Sequence, residues 1–334
     1  MTSALQVFGD RAEDVVRVAE LLVSGEVVAV PTETVYGLAA DALNESACRR
    51  IFEIKGRPLI DPLIVHVEDV SQAGDLAVLS RAFERLAEIF WPGPLTVVLP
   101  KRGKVPAIVT AGLDSVAVRA PRHPLIRKIL HAAKIPLAAP SANPFGYISP
   151  TRAEHVAKSL AGRIQYLVDG GACEVGVEST IIDLCEPLSP TLLRPGSILP
   201  ETIESVLGQR LRRPASAQKS SAQRAPGLLE QHYSPRTPLR ILPTSHPSAN
   251  PWRDGDAVIF ISRAAHPEPA TGCSTYWLSE NGDLADAARQ LYHLLNQLDV
   301  NNHGTLWIEQ PQQSGLGLTL NDRIGRAAAK DTNS

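Results

Sequence analysis

The chain has 334 residues, of which 44% are hydrophobic and 20% charged, and its formal net charge is −2. That length exceeds what one core usually serves, so two domains are expected, and the composition excludes a disordered or low-complexity chain. A near-neutral charge excludes a global electrostatic pull toward nucleic acid or a membrane surface, while local basic patches stay open. Along the chain, Val15, Val18, Ala19 and Leu22 recur at helical spacing over 14–24, with Gly25 as the stop. A short buried strand over 27–30 ends at Pro31. Further helices are expected over 45–55, 81–90 and 124–133. Further strands are expected over 63–67, 96–99, 116–119, 137–139 and 181–183. Helices alternating with short strands predict an α/β domain with a mixed sheet over 1–207.

Between Gln209 and Arg224 the texture changes. Arg210, Arg212, Arg213, Lys219 and Arg224 stand among Ser, Ala and Gln with no acidic residue between them. The stretch 208–237 reads as a linker, most simply a solvated tether, with a phosphate or RNA contact as the sharper alternative. A second α/β block over 238–334 begins with strands over 239–242 and 257–261. A helix follows with Leu284, Ala287, Ala288, Leu291, Leu294, Leu295 and Leu298 on its apolar face. A strand over 305–308, a turn with Gly315 and Gly317, and a helix over 321–330 carrying Arg323 and Arg326 close the block.

Several chemistries lack their signatures. There is no phosphate-loop or dinucleotide glycine motif, no Gly-x-Ser-x-Gly elbow and no His-x-x-x-His pair. Cys48, Cys173, Cys185 and Cys273 form no Cys-x-x-Cys pair, which argues against a zinc site and fits a reducing, cytoplasmic compartment. No stretch reaches the ~18–20 apolar residues of a membrane span and residues 1–10 lack a signal-peptide pattern, so no membrane association is expected.

What the chain does carry is a series of polar segments bounded by Pro or Gly. The first runs from Pro31 through Thr32, Glu33, Thr34 and Tyr36 to Leu38, directly after a buried strand, where hydroxyls and a carboxylate can line a cleft or simply form a capped turn. Lys55-Gly56-Arg57-Pro58 flanks a glycine with two cations, which suits a polyphosphate or a solvated basic turn. His66 follows and reads most simply as a core histidine. In Ser115-Val116-Ala117-Val118-Arg119, alternation puts Ser115, Ala117 and Arg119 on one face. A buried Arg119 needs an anionic partner, either a ligand carboxylate or an internal Asp or Glu. Pro140-Ser141-Ala142-Asn143, with Ser149 close behind, offers donors to a phosphate or a base, or forms an Asx turn. Asp169-Gly170-Gly171 with Gly176–Thr180, and Leu193-Arg194-Pro195-Gly196, complete the set. Their density in one domain points to binding and orienting charged small molecules rather than to nucleophilic catalysis.

Taken together, Thr32–Leu38, Lys55-x-Arg57 with Pro62-Leu63, Val116–Pro121, Pro140–Asn143, Gly176–Thr180 and Leu193–Gly196 resemble the YrdC family over about residues 8–207. Pro226-Gly227 to His232-Tyr233-Ser234-Pro235, and Gly315–Gly317 to Asn321-Asp322-Arg323 with Arg326-Ala327-Ala328, resemble the linker and closing motif of its two-domain threonylcarbamoyl-AMP synthase branch. Related linkers often carry basic or aromatic residues where Leu228, Leu229, Glu230 and Gln231 stand here. The resemblance implies a YrdC-like twisted mixed sheet with flanking helices and a smaller, Rossmann-like C-terminal α/β domain. It implies a nucleotidyltransferase that makes threonylcarbamoyl-AMP from L-threonine, bicarbonate and ATP for tRNA threonylcarbamoyladenosine synthesis. It also implies magnesium travelling with ATP and a downstream tRNA threonylcarbamoyl transferase complex. Thr34, His66, Arg119 and Ser179 would surround L-threonine, with Arg119 on its carboxylate. Lys55, Arg57, Ser115, Ser141, Asn143, Ser149, Arg194 and Tyr233 would hold ATP, with Lys55 and Arg57 catalytic and Tyr233 part of a lid. Two other readings stand beside it. One is a non-enzymatic RNA-binding or ribosome-associated module contacting tRNA or double-stranded RNA. The other is a carbamoyltransferase of hydrogenase maturation, whose cysteine-rich fingers this chain lacks.

Overall fold

Short apolar runs broken by Pro and Gly are too brief for long helices, and they fold as strands covered by amphipathic helices. The computed structural model describes residues 4–213, 223–227, 232–243 and 251–329, so Lys219 and the stretch from Leu228 to Gln231 lie outside the described residues. The chain divides into two units. One comprises Met1–Phe145, Pro150–Glu174 and Glu178–Leu229, and the other Gly146–Ser149, Val175–Val177 and Glu230–Ser334.

The first unit runs β1 (Gln6–Phe8), α1 (Ala12–Val23), β2 (Val28–Val30), β3 (Gly37–Asp41), α2 (Glu45–Lys55), β4 (Ile64–His66), α3 (Val70–Leu76), α4 (Arg81–Phe90), β5 (Leu95–Pro100) and β6 (Ser115–Arg119). It continues with α5 (Pro124–Ala133), β7 (Leu137–Ala138), α6 (Ala153–Ser159), β8 (Tyr166–Val168), β9 (Thr180–Asp183), β10 (Thr191–Arg194) and α7 (Pro200–Leu207). The strands form one mixed sheet in the order β1-β8-β2-β3-β7-β4-β6-β5-β9-β10. Strand alternation sorts their side chains to two faces. Ala29, Leu38, Ala40, Val65, Val97, Val118, Ala138 and Ile182 enter the main core with residues of α2, α3, α4 and α7. Val28, Val30, Ala39 and Leu137 point the other way, against Leu22 of α1 and Ile126 and Ile129 of α5.

The second face is unequal along its length. Beyond Leu137 it carries a small cluster of Ile64, Val98, Ala117 and Ile181 with Ala225. Its remaining positions are polar. His66 follows Ile64 by two, Ser115 and Arg119 flank Ala117 by two, Thr96 precedes Val98 by two, and Ser179 precedes Ile181 by two. One irregularity adds to this row. Leu192 pairs with Ile182, but Arg194 rather than Leu193 pairs with Ile181. The extra residue is a bulge, and it turns Arg194 to the face of Ile181.

The second unit holds β11 (Leu239–Ile241), β12 (Ala257–Ser262), β13 (Ser274–Ser279), α8 (Leu284–Leu298), β14 (Leu306–Ile308) and α9 (Leu316–Ala328). Its sheet, in the order β11-β14-β12-β13, is parallel throughout. The apolar face of α8 is buried as its periodicity requires, through Ala287, Ala288, Leu291, Leu294, Leu295 and Leu298.

Elements with strong periodicity match their expected bounds closely: α2, α4 and α5 coincide with them. Missed were β1, β3, β8, β10 and β13, and the helices α3, α6 and α7. All but α7 are seven residues or shorter. The last helix begins at Leu316, not 321, because the Gly-Leu-Gly turn forms its first residues. The basic stretch is not a free tether where it is described. Arg210 donates to Glu204 at 2.9 Å, Arg212 to Ser189 at 2.6 Å and Arg224 to Asp183 at 2.8 Å, all within the first unit. Among the described residues no helix is long and apolar enough to cross a membrane.

Ile129 is fully buried between α1 and the sheet. Ile129→Ala should lower the stability of the first unit by about 2–5 kcal/mol, read as a shift of the urea midpoint followed by circular dichroism.

Candidate active site

The polar segments of the first unit are stitched together one to the next. Leu38 N donates to Pro140 O at 2.7 Å and Ala142 N to Tyr36 O at 2.8 Å, joining the Thr32–Leu38 segment to Pro140–Asn143. The buried Tyr36 hydroxyl donates to Gly171 O at 2.7 Å, tying in Asp169–Gly171. Helix α2 ends in a left-handed cap at Gly56, φ 64°, a conformation glycine adopts without strain. That cap leaves Lys55 on the last helical turn and sends Arg57 back into the protein.

Lys55 Nζ donates to Ser141 O and Asn143 O, both at 2.5 Å, and Phe145 N returns a bond to Lys55 O at 2.8 Å. Arg57 donates through Nε to Asp61 O at 2.9 Å and through Nη2 to Pro62 O at 2.7 Å, and pairs with the Asp61 carboxylate at 3.0 Å. Burial, and next the Arg57 charge, push the Lys55 ammonium well below the usual lysine range, against the pull of Asp61. Burial likewise pushes the Asp61 carboxyl above its ordinary range, against Arg57, Lys55 and Arg194. Asp61 is thus a buried acid acted on by three cations.

Arg119 closes β6. Its Nη1 donates to Thr34 Oγ1 at 2.9 Å, its Nε to Gly93 O at 3.2 Å, and its Nη2 lies 2.6 Å from Glu33 Oε1. The partner that a buried Arg119 demanded is therefore an internal acid. Burial would raise the Glu33 carboxyl, but the Arg119 charge, its hydrogen bond and the amide of Arg122 hold it below the usual range. His66 is the register partner of Arg119 across β4 and β6. Burial first, then the Arg119 charge, push its imidazole down to about 3, so it is neutral at ordinary pH.

Arg194, turned inward by the bulge, donates through Nε to Ser179 O at 3.1 Å, through Nη2 to Ser179 Oγ at 3.1 Å and through Nη1 to Pro226 O at 3.3 Å. Ser179 Oγ also lies 2.7 Å from Thr96 Oγ1. Gly196 follows in close contact with this strand: a Cβ there would lie 2.3 Å from Thr180 N. The Gly93-Pro94 segment links the two arginine clusters, because Gly93 O receives Arg119 and Pro94 O receives Thr180 N at 3.0 Å.

The sequence-predicted residues divide accordingly. Thr34, His66 and Arg119 meet; Lys55, Ser141 and Asn143 meet; Ser179 and Arg194 meet. Ser115 stands at the opposite end of β6 from Arg119, about 13 Å along the strand at the usual rise, half-buried beside Cys185. Ser149 and Tyr233 belong to the second unit. There Ser149 O accepts from Asn296 Nδ2 at 3.4 Å. Tyr233, at φ 66°, is buried 5.7 Å from the Tyr292 ring and carries the Arg323 guanidinium 5.3 Å from its centroid. Three residues that the geometry brings to the site had no role assigned from sequence: Glu33, Asp61 and Thr96. The signal for Asp61 was present, as a carboxylate four residues after Arg57 and beside a proline. Thr96 gave none, being one threonine in an apolar strand.

Comparison with known proteins agrees with this architecture. Residues 20–196 match the Sua5–YciO–YrdC family, described as "Telomere recombination", and residues 198–329 match "Threonylcarbamoyl-AMP synthase, C-terminal domain". The threonylcarbamoyl-AMP synthase of Pyrococcus abyssi is 41% identical over 91% of this chain and 91% of its own length. That of Bacillus subtilis is 39% identical over 94% and 92%. The crystal structure of P. abyssi Sua5 complexed with L-threonine superposes with a TM-score of 0.87 at 36% identity, covering 98% of both chains. The sheet, its polar face and both halves of the sequence lead to one conclusion: the chain belongs to the Sua5–YciO–YrdC family, in its two-domain threonylcarbamoyl-AMP synthase form.

Proposed function

We propose that this chain is an enzyme that makes threonylcarbamoyl-AMP from L-threonine, bicarbonate and ATP, releasing pyrophosphate by nucleotidyl transfer. The observation that carries the reading is the set of buried cations, Arg119 and Arg194 on one sheet face with serine and threonine hydroxyls, and Lys55 and Arg57 at the end of α2, with Lys55, Arg57 and Arg194 all acting on Asp61. Such a set aligns and neutralises anions. It does not resemble a nucleophile and its base, and burial pushes the thiols of Cys48, Cys173 and Cys185 up, away from the reactive thiolate.

The reaction suits that equipment. The threonine amine attacks bicarbonate or its carbon dioxide equivalent to give a carbamate. A carbamate oxygen then attacks the α-phosphorus of ATP and pyrophosphate leaves; water is the other product. Neither step needs a protein nucleophile. Both need anions that repel one another to be held in line, and charge neutralised on the leaving group. Thr34, His66, Arg119 and Ser179 take L-threonine. Lys55, Arg57, Ser141, Asn143 and Arg194 take ATP, with Ser115 as an outlying contact. Magnesium would enter with the nucleotide as part of the substrate and would supply charge neutralisation at the leaving pyrophosphate. The neutral His66 supplies a polar contact without adding charge. The carbamate is unstable in water, which gives closure over the site a chemical purpose. The product serves a downstream transferase that modifies tRNA.

The internal ion pairs set how ligands enter. A threonine carboxylate shares Arg119 with Glu33, and a phosphate shares Arg57 with Asp61. Removing either arginine leaves a buried acid unpaired, which costs about 3–5 kcal/mol, so lysine variants are the sounder probes.

Three outcomes are expected. Pyrophosphate release by the purified chain should require L-threonine and bicarbonate together with ATP and magnesium; release that ignores either co-substrate would defeat the reading. Arg57→Lys, which keeps the charge but loses the forked donor geometry, should raise the KM for ATP by roughly tenfold, equivalent to one charge-assisted hydrogen bond. The third concerns acid stability. Glu33 titrates below its unfolded value near 4.5, so the unfolded chain binds the extra proton and stability falls as pH drops from 4.5 through the lower folded value. Glu33→Gln should be less stable at pH 7 and show a shallower loss in acid, measured as urea midpoints between pH 7 and pH 3. Asp14 and Glu204, also held low by partners, should leave a residual slope.

A further inference from the structure

Two buried atoms of opposite character lie side by side where β6 ends, and neither is satisfied. Glu33 Oε1 and Arg119 Nη2 are 2.6 Å apart, yet the contact is bent, and neither atom meets a partner at hydrogen-bond angles. The rest of each group is committed. Glu33 Oε2 accepts from Arg122 N at 3.0 Å. Arg119 donates through Nη1 to Thr34 Oγ1 at 2.9 Å and through Nε to Gly93 O at 3.2 Å. The turn that carries Glu33 is also closed, because Thr34 N and Val35 N both donate to Thr32 Oγ1 at 3.2 Å. Neither residue can turn away without breaking these bonds. Buried polar atoms are nearly always bonded, and an exception that carries charge is costly.

The roles of the two atoms are fixed by their chemistry. A guanidinium only donates. Against burial, the Arg119 charge holds the Glu33 carboxyl below its usual range, so at neutral pH it is ionised and only accepts. A donor and an acceptor of opposite charge are thus presented together. A simple carboxylate would satisfy the first and repel the second; a simple amine would do the reverse. An α-amino acid zwitterion carries a carboxylate and an ammonium on one carbon and satisfies both. His66, beside Arg119 across the strands, is neutral and adds no competing charge.

We propose that Glu33 is a substrate-binding residue: Glu33 Oε1 accepts a hydrogen bond from the α-ammonium of the amino acid whose carboxylate Arg119 holds. The assignment deepens the proposed function and rests on its placing of L-threonine at Arg119. Entry of the zwitterion separates the bent pair and gives each member a directed partner. A free, charged amine is thereby selected before any bond forms, at the group that becomes the nucleophile.

The test is calorimetric titration of the full chain with L-threonine and with (R)-3-hydroxybutyrate, the same skeleton without the amine. Both ligands are run on the unaltered chain and on Glu33→Gln. The unaltered chain should bind 3-hydroxybutyrate about tenfold to a hundredfold more weakly than L-threonine, the worth of one charge-assisted hydrogen bond. In Glu33→Gln, L-threonine should weaken by a similar factor. There 3-hydroxybutyrate should hold its affinity or tighten, since the acid that repelled its carboxylate is gone. A Glu33→Gln variant that has merely let Arg119 slip weakens both ligands equally, and that outcome overturns the proposal. Equal affinity of the unaltered chain for the two ligands overturns it as well; this arm needs no variant and stands even if Glu33→Gln does not fold. A folded, unaltered chain that gives no heat with L-threonine overturns the proposed function itself. That result is distinguishable from failure of the Glu33 assignment alone, in which L-threonine binds and its amine makes no difference.

Discussion

Four buried cations, Arg119 and Arg194 on the sheet and Lys55 and Arg57 at the end of α2, would repel one another and forfeit their hydration, and the first unit is arranged around making that tolerable. Arg57 is matched by Asp61, Arg119 by Glu33, and Lys55 by two backbone carbonyls. Arg194 spans Ser179 and Pro226. The counter-charges come from within, so the site is assembled before any ligand arrives. In the proposed function, each anion that enters would compete with an internal acid instead of meeting a bare charge. The internal acids hold the cations in place without a ligand.

The sheet explains why these groups meet. One face is fully given to the main core. The opposite face is covered by α1 and α5 over part of its length, and the rest bears the polar row. Alternation along β4, β5, β6 and β9 supplies that row with no special backbone, and the bulge in β10 adds Arg194. A small apolar cluster beneath it keeps the strands packed, so the side chains project from a rigid base, which favours accurate positioning.

Much of this was legible in the sequence. The helices with a strong apolar stripe declared themselves, and the segments rich in Pro, Gly and hydroxyls marked the loops that line the site. The two-residue alternation in Ser115–Arg119 placed Arg119 correctly on a face. What stayed hidden depended on partners distant in sequence. Asp61 lies close to Arg57 in the chain, yet its meaning comes from Arg194, more than a hundred residues away. Thr96 looks like any strand threonine until β9 delivers Ser179. Strands such as β1, β8 and β10 are three or four residues long, too short for a periodic signal, and exist because neighbouring strands supply their hydrogen bonds.

The bulge between Leu192 and Arg194 has a bearing on how relatives of this chain are aligned. A single residue sets the parity of the strand there. An alignment slipped by one position would still match Leu192 with Leu193. It would nevertheless exchange a guanidinium for an aliphatic side chain. Gly196, whose Cβ would strike the backbone of Thr180, lies just beyond and tolerates no such slip. The glycine is therefore the fixed point from which the arginine's position should be counted in any related sequence.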